Sequence, residues 1–401
     1  MAKTTVDKER IIEVLDRGVI VDILPSKEKL IEAMSSGKRL KMYIGADPTS
    51  TSLHLSHAKN YMLLEEFRKL GHEVIVLFGD FTARIGDPSG KKDSRPQLSE
   101  EQVTENVKGW IRQIKPLLNF SDKDNPPKIL YNSKWLSKLS FGDILRLASQ
   151  FTVQQMLERD MFQRRLHENA PIYLHEFLYP LMQGYDSVAM DVDIELCGTD
   201  QTFNALAGRT LMKKLKDKEK FVVIVNLMEN PKTHELMSKS NGTGVFLASS
   251  AGDMYGALMA QPDEMTQIFF INCTRIPLSQ KNEILALGPK KAKEKVAFEI
   301  VKIIHGEKAA EAAQKNFEQL FSKHETPEDI AELKLKEGRM SALDIVLASG
   351  VLKSNGEARR LIGQGGFDVA GNAIKDPSET IDLKPGEVVK IGKKHFFRIK
   401  I

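Results

Sequence analysis

The residues best placed to do chemistry fall in five short stretches. Two histidines three positions apart, His54 and His57, close the run Tyr-Ile-Gly-Ala-Asp-Pro-Thr-Ser-Thr-Ser-Leu-His-Leu-Ser-His that begins at Tyr43. A loop between a strand and a helix start aims backbone N–H groups and a helix dipole at whatever lies above it, so this is a ready phosphate site with two imidazoles at hand. Paired histidines also bind metals, but zinc wants three or four ligands, and the only cysteines, Cys197 and Cys273, lie far away in sequence. No protein-bound metal is expected. The second stretch, Gly86-Asp-Pro-Ser-Gly-Lys-Lys-Asp-Ser-Arg95, is a basic turn carrying Asp87, Lys91 and Arg95. It is not a Walker A loop, because Gly90-Lys91 is followed by Lys and not Ser or Thr, and no Gly-x-Gly-x-x-Gly occurs in the chain.

In the third stretch Tyr179, Gln183 and Asp186 recur at spacings of four and three, which places them on one helix face. An aromatic, an amide and a carboxylate cost too much to bury without partners, so this face either meets solvent or lines a polar pocket. The fourth, Leu196-Cys-Gly-Thr-Asp-Gln201, reads as a strand end entering a helix. There Gly198 permits close approach, and Asp200 can accept two hydroxyl hydrogen bonds, as a ribose requires. The fifth, Leu236-Met-Ser-Lys-Ser-Asn-Gly242, is by itself a flexible Ser/Gly-rich loop around Lys239.

The elements that must position these residues are legible in outline. Leu40 to Ile44 reads as a strand, and Ser56 to Leu70 as a helix, with Tyr61, Leu64, Phe67 and Leu70 near helical spacing and Gly71 placed to end it. The apolar runs 73–78 and 221–226 read as buried parallel strands, and 202–215 as a helix. Together they predict an open α/β sheet over about 38–245, with the basic loop at a strand's carboxyl end, where such sheets hold ligands. A largely helical insertion, about 99–190, interrupts it. Ser99 with Gln102 predicts a capped helix there, and 151–166 a charged amphipathic one. From about 250 to 335 the pattern is helical, with no strand-like run. Beyond Gly338 the texture becomes that of a small α+β domain, with helix-like pieces at 341–347 and 354–362 and strand-like runs at 387–391 and 395–401.

Composition sets the outer bounds. A chain of 401 residues, 41% hydrophobic and 28% charged, suits a soluble protein of two or three domains. Its first residues lack a secretory apolar run, its longest apolar run cannot span a bilayer, and two cysteines fit a reducing compartment. A cytoplasmic protein without membrane partners is expected. The net charge of +4 resides wholly in 339–401, with eleven Lys and Arg against seven Asp and Glu, so residues 1–338 balance. A basic tail on a neutral body suggests a polyanion such as nucleic acid.

Taken in order, the motifs resemble those of class I aminoacyl-tRNA synthetases in their bacterial tyrosyl form. Gly-Ala-Asp-Pro-Thr with Leu-His-Leu-Ser-His is similar to the "HIGH" signature, with Leu55 and Ser56 where Ile and Gly usually stand. Leu236 to Ser240 resembles the "KMSKS" loop, with Leu236 in place of its first lysine. The resemblance covers nearly the whole chain. It implies a Rossmann-like parallel-sheet catalytic domain with a helical insertion (1–245), a helical anticodon-side domain (246–337), and an RNA-binding domain like that of ribosomal protein S-four (338–401). It implies ATP-dependent ligation of L-tyrosine to tRNA(Tyr) through tyrosyl-adenylate, with Mg²⁺ accompanying ATP, and a homodimer formed through the insertion. By resemblance, Tyr43, Asp87, Tyr179, Gln183, Asp186 and Gln201 hold tyrosine, with Tyr43 and Asp186 bonding its phenol. Gly45, Asp47, His54, His57, Gly198, Asp200 and Lys239 hold ATP. Thr49, His54, His57, Lys91, Arg95 and Lys239 act on the phosphates, with Lys232 able to stand in for the lysine missing at 236. Arg359, Arg360, Lys393 and Lys394 contact RNA. Tryptophanyl-tRNA synthetases share the fold, but Gln183 and the tail favour tyrosine. A degenerate synthetase acting only as an RNA-binding protein is the remaining reading.

Overall fold

The structure, a computed structural model, describes residues 4–87, 98–233, 235–236, 244–321, 331–335, 337–352, 354–369, 372–392 and 395–401. After helix α1 (Lys8–Leu15) the chain enters strand β1 (Ile20–Leu24), helix α2 (Lys27–Ser35) and strand β2 (Lys41–Ala46). Helix α3 (Leu55–Lys69) follows and ends at Gly71, whose φ of +93° only glycine adopts without strain. Strand β3 (Glu73–Phe78) has every residue after the first buried, as a strand covered on both faces must. Helix α4 (Glu100–Ile114) starts at the capping box of Ser99 and Gln102. Next come β4 (Lys128–Tyr131), α5 (Ser133–Leu136), α6 (Phe141–Ala148), α7 (Val153–Leu157), α8 (Asp160–His167) and α9 (Leu178–Met190). Strand β5 (Ile194–Gly198), helix α10 (Thr202–Lys216) and strand β6 (Phe221–Val225) complete the sheet.

The six strands lie in the order β1-β6-β5-β2-β3-β4, all parallel except β1. Strand order reverses between β2 and β5, so a crevice opens beyond their carboxyl ends, the usual ligand site of open α/β sheets. Tyr43 stands opposite Ile75 on one side and Glu195 on the other. Helix α10 covers β5 and β6, and α9 lies against α10. The two helices cross at glycines: a methyl group on Gly184 would lie 3.1 Å from the Gly208 nitrogen.

Helices α11 (Ala251–Met259), α12 (Met265–Cys273), α13 (Lys281–Ala286), α14 (Pro289–His305) and α15 (Glu307–Phe321) follow. Arg17 ties α12 to the amino-terminal region, donating to the carbonyls of Ile271, Thr274 and Ile276 at 3.1, 2.6 and 3.0 Å. Two compact units result, Met1–Glu311 and Ala312–Ile401. In the second, α16 (Ala342–Ala348) and α17 (Asn355–Gly363) pack with a five-stranded sheet around Ile345, Val346, Ile362, Phe367, Val389 and Ile391. Its strands are β7 (Ala331–Lys334), β9 (Phe367–Val369), β10 (Asn372–Ile374), β12 (Val388–Ile391) and β13 (His395–Lys400), in the order β10-β9-β12-β13-β7. Strands β8 (Arg339–Ser341) and β11 (Thr380–Asp382) pair separately.

Two expectations need correction, and the largely helical insertion supplies one strand as well. The amphipathic helix at 151–166 is two helices, α7 and α8, broken at Glu158-Arg159, where Arg159 turns inward over the rings of Phe162 and Phe203. The insertion contributes β4 to the edge of the sheet. Residues 331–334, expected to be free of strand, form β7, a short edge strand with one buried side chain, Leu333, that exists by pairing with β13. Among the described residues no helix is long and apolar enough to cross a membrane.

Candidate active site

Strand β2 carries Tyr43 at its third position, and Asp47 follows its last residue. Tyr43 is 1% exposed, and its hydroxyl lies 2.9 Å from Ser187 Oγ on α9. Burial, with the nearby Glu195 and Asp186 charges, pushes its pKa well up, so it stays a neutral phenol. Asp186, the next face of α9, accepts from Trp135 Nε1 at 2.7 Å and from Asn132 Nδ2 at 3.3 Å. Burial holds its carboxyl well above the ordinary range, against the opposing pull of those two donors. Tyr43 and Asp186 are thus brought to one end of the crevice, but each is already bonded to the protein, and Tyr43 is bonded to Ser187.

The helix face at 179–186 is buried and partnered, which selects the polar-pocket reading. Tyr179 donates to Asp47 Oδ2 at 2.8 Å, and Thr82 donates to Asp47 Oδ1 at 2.6 Å. This fixes Asp47 so closely over Gly79 that a methyl group there would overlap both the carboxylate and the Thr82 hydroxyl. Gln201 Nε2 donates to Asp87 at 2.7 Å, and Asn204 holds the other end of the same amide at 2.8 Å. Gln183 Nε2 reaches Glu195 Oε1 at 3.1 Å. A side chain at Gly198 would press on Asp200, so the strand end needs glycine to bring that carboxylate to the crevice.

The loop between β2 and α3 is held by side chains of α4. Asn106 donates to the Pro48 carbonyl at 2.8 Å, Trp110 to Ser50 at 2.6 Å, and Gln113 accepts from the Leu53 N–H at 2.8 Å. Thr49 lies on this loop and Gly45 near the β2 end, where it is exposed. His54 caps α3, its N–H donating to His57 Nδ1 at 3.3 Å, and the two rings sit 4.0 Å apart. Burial lowers His54 to about 4 and His57 to about 3, the latter with help from His54 itself. Both are therefore neutral hydrogen-bonding rings near pH 7, not cations. Because His57 Nδ1 accepts, its proton resides on Nε2.

The residues around the fifth motif pair with this loop: Leu55 N–H donates to Val245 O at 3.0 Å, and Leu247 N–H to Leu53 O at 2.9 Å. Lys239, Lys91 and Arg95 lie outside the described residues. Lys232 is ion-paired with Glu264, and its side chain is largely exposed. Among the described residues no cluster of three or more His, Cys, Asp or Glu is placed to hold a metal. Arg359 and Arg360 are exposed on α17, while Lys393 and Lys394 lie outside the described residues.

Sequence reasoning missed Ser187, Glu195, Lys220, Asn132, Trp135, Thr82 and Gly79. One signal was available: a carboxylate, Glu195, inside the apolar strand Ile-Glu-Leu, and a lysine, Lys220, directly before the run Phe-Val-Val-Ile-Val. Such charges need each other or a ligand.

A buried polar slot beside an anion-binding loop can hold a small amphiphilic molecule against a phosphate. Comparison with known proteins gives this arrangement a context. Residues 35–322 match the family described as tRNA synthetases class I (W and Y). The chain is 39% identical over 399 residues to the tyrosine–tRNA ligase of Moorella thermoacetica, covering 97% of this chain and 95% of that one. It is 41% identical over 408 residues to the tyrosine–tRNA ligase of Carboxydothermus hydrogenoformans, covering 98% of each. In fold it is similar to a C-terminally truncated mitochondrial tyrosyl-tRNA synthetase of Aspergillus nidulans, with TM-score 0.67, 23% identity, and coverage of 78% of this chain and 94% of that one.

Proposed function

The chain belongs to the class I tRNA synthetases of the tryptophan and tyrosine family, and we propose that it joins L-tyrosine to tRNA(Tyr) through a tyrosyl-adenylate made from ATP. Near-full-length identity of about two residues in five to tyrosine–tRNA ligases carries this reading. The buried polar end of the crevice supports tyrosine in particular, since Tyr43 and Asp186 offer a phenol two partners. Neither the tryptophan reading nor an RNA-binding protein without catalysis is favoured.

Tyrosine's carboxylate is already an ionised nucleophile, so attack on the α-phosphorus of ATP needs no base, only positioning and relief of charge. Asp87, Tyr179, Gln183 and Gln201 would hold the amino acid, with the Tyr179-Asp47-Thr82 chain fixing the pocket wall. His54 and His57 would donate neutral N–H groups to the phosphates beside Thr49 and the loop backbone, and Gly198 and Asp200 would take the ribose. Lys91, Arg95 and Lys239 would supply positive charge as pyrophosphate leaves. Mg²⁺ carried in with ATP would offset phosphate charge without a dedicated protein cage. A hydroxyl of the terminal adenosine of tRNA then takes the tyrosyl group.

Residues 246–337 would serve the anticodon side, and 338–401 would bind RNA through the exposed Arg359 and Arg360, with Lys393 and Lys394. The enzyme would work in the cytoplasm, where tRNA is charged. The insertion would form a homodimer. Phe141 and Leu174, 75% and 80% exposed, with Leu145, Val153 and Tyr173, leave apolar surface there that a second copy would cover. ATP–pyrophosphate exchange with tyrosine, tryptophan and phenylalanine, one at a time, tests the substrate. Tyrosine alone should support rapid exchange; exchange with tryptophan instead, or with none, refutes the reading. Light scattering near 45 kDa at micromolar concentration would refute the dimer.

A further inference from the structure

Under the phenol end of the crevice lies a charged pair that the reaction itself has no use for. Lys220 is 0% exposed and Glu195 2%, and they are ion-paired. Lys220 Nζ also donates to Ser187 Oγ at 3.0 Å, and Ser187 Oγ is 2.9 Å from the Tyr43 hydroxyl and 3.4 Å from Glu195 Oε2. The helices make room for this cation with glycine: a methyl group on Gly208 would lie 2.5 Å from Lys220 Nζ. A buried ion pair is weak evidence of stability, because well-packed apolar residues often do as well. Something other than stability is therefore the better account of it.

We propose that Lys220 and Glu195, acting through Ser187, are positioning residues that orient the Tyr43 hydroxyl toward the phenol of bound tyrosine. This rests on the tyrosine reading above. Proton accounting gives the direction. An ammonium only donates, so Ser187 Oγ accepts from Lys220. The proton of Ser187 then has two takers, and the Tyr43 oxygen at 2.9 Å is the better placed, since Glu195 Oε2 is farther away and already receives the ammonium. Tyr43, having accepted from Ser187, donates its own hydrogen to the substrate's phenol oxygen, while Asp186 accepts a hydrogen bond from the substrate's hydroxyl. The raised pKa of Tyr43 keeps that proton in place. Glu195 sets the far end as well. A carboxylate only accepts, so the Gln183 amide turns its Nε2 to Glu195 and leaves its carbonyl oxygen for an ammonium group. One buried pair thus orients a donor at the phenol and an acceptor at the amino group.

Phenylalanine supplies the control, because its use cannot depend on where the Tyr43 proton points. In pyrophosphate exchange, Ser187→Ala and Lys220→Met are each expected to lower kcat/KM for tyrosine ~10-fold or more. Phenylalanine and the KM for ATP should stay within about twofold, so the tyrosine-to-phenylalanine ratio falls. Gly208→Ala, whose methyl group would press on the Lys220 ammonium and lie 3.0 Å from Ser187 Oγ, perturbs the same relay and should give the same signature. Should Lys220→Met fail to fold, as an unpaired buried carboxylate invites, Ser187→Ala and Gly208→Ala still decide the matter. Equal losses for both amino acids, or an unchanged ratio, would overturn the proposal. Wild-type protein that exchanges poorly with tyrosine would instead overturn the reading beneath it.

Discussion

The two ends of the crevice are built on opposite plans. At the phenol end the polar side chains are already bonded: Tyr43 to Ser187, Asp186 to Trp135 and Asn132, Glu195 to Lys220 and Gln183. At the other end His54 Nδ1 is buried without a partner among the described residues, while the N–H groups of Leu53, His54 and Leu55 are bonded to Gln113, His57 and Val245. The first end is held in shape before substrate arrives, so it can discriminate. The second keeps one buried imidazole nitrogen without a protein partner, which under the proposed reading a phosphate of ATP would complete. Preorganisation belongs where a missing hydroxyl must be penalised; a ring nitrogen left for the ligand belongs where charge develops.

The contrast breaks most visibly at Asp186. Sites that hydrogen-bond a hydroxyl can reject the analogue lacking it by about 10⁴- to 10⁵-fold, a range for which this enzyme family is itself the standard example. Asp186→Ala removes the acceptor and strands the Trp135 and Asn132 donors. The preference for tyrosine over phenylalanine in pyrophosphate exchange should drop at least ~100-fold, with the KM for ATP little changed. A variant that kept its preference would show that the phenol is read elsewhere.

Next in size is the wall between the ends. Gly79→Ala forces Asp47 away from Tyr179 and Thr82, and overpacking of this kind costs ~1–3 kcal/mol. Steady-state exchange should show KM for tyrosine rising ~10-fold, with a lowered melting temperature. Normal kinetics in a destabilised variant would reduce the Asp47 bonds to mere packing.

How much of this was visible in the chain depends on how local the cause is. Helix α3 and strand β3 declare themselves through apolar spacing and Gly71, because their burial pattern repeats within the segment. Strands β1 and β4 do not, being short edge strands with polar residues such as Asp22 and Lys128, defined by a neighbour rather than by themselves. The break at Arg159 is likewise partly tertiary: besides its neighbour Phe162, the guanidinium turns over the ring of Phe203, far along the chain. The same divide runs through the site. Contiguous motifs marked His54, Asp87, Tyr179 and Asp200, whereas Ser187, Glu195 and Lys220 acquire meaning only when α9, β5 and β6 meet.

A smaller effect sharpens the phosphate end. With His54 lowered to about 4 and His57 to about 3 by burial, kcat/KM for ATP should show no imidazole inflection between pH 6 and 8. Stability carries the matching sign. The unfolded chain takes up protons near the ordinary value of about 6.5 while the folded one does not, so stability is full above that pH and falls on acidification toward 4, by ~1.4 kcal/mol per pH unit for each ring. Urea unfolding at pH 7.0 and 5.5 measures the slope. An inflection near 6.5 that disappears in His54→Asn or His57→Asn would mean that the rings act as cations.

The smallest expected change is at Ser56, the second residue of α3, where related motifs carry glycine. Ser56→Gly should cost at most ~0.5 kcal/mol, since helix propensity matters least in a first turn whose N–H groups lack helical partners. Removing the side chain also clears the approach to the helix start. KM for ATP should therefore stay level or fall by up to about threefold, with KM for tyrosine unmoved. If KM for ATP instead rose ~10-fold, the serine hydroxyl would itself be a nucleotide contact. The phosphate end would then owe part of its affinity to a side chain at the helix start rather than to the imidazoles alone, and the contrast between the two ends would narrow at one of the three positions, with Leu55 and Leu236, where this chain departs from the motifs it resembles.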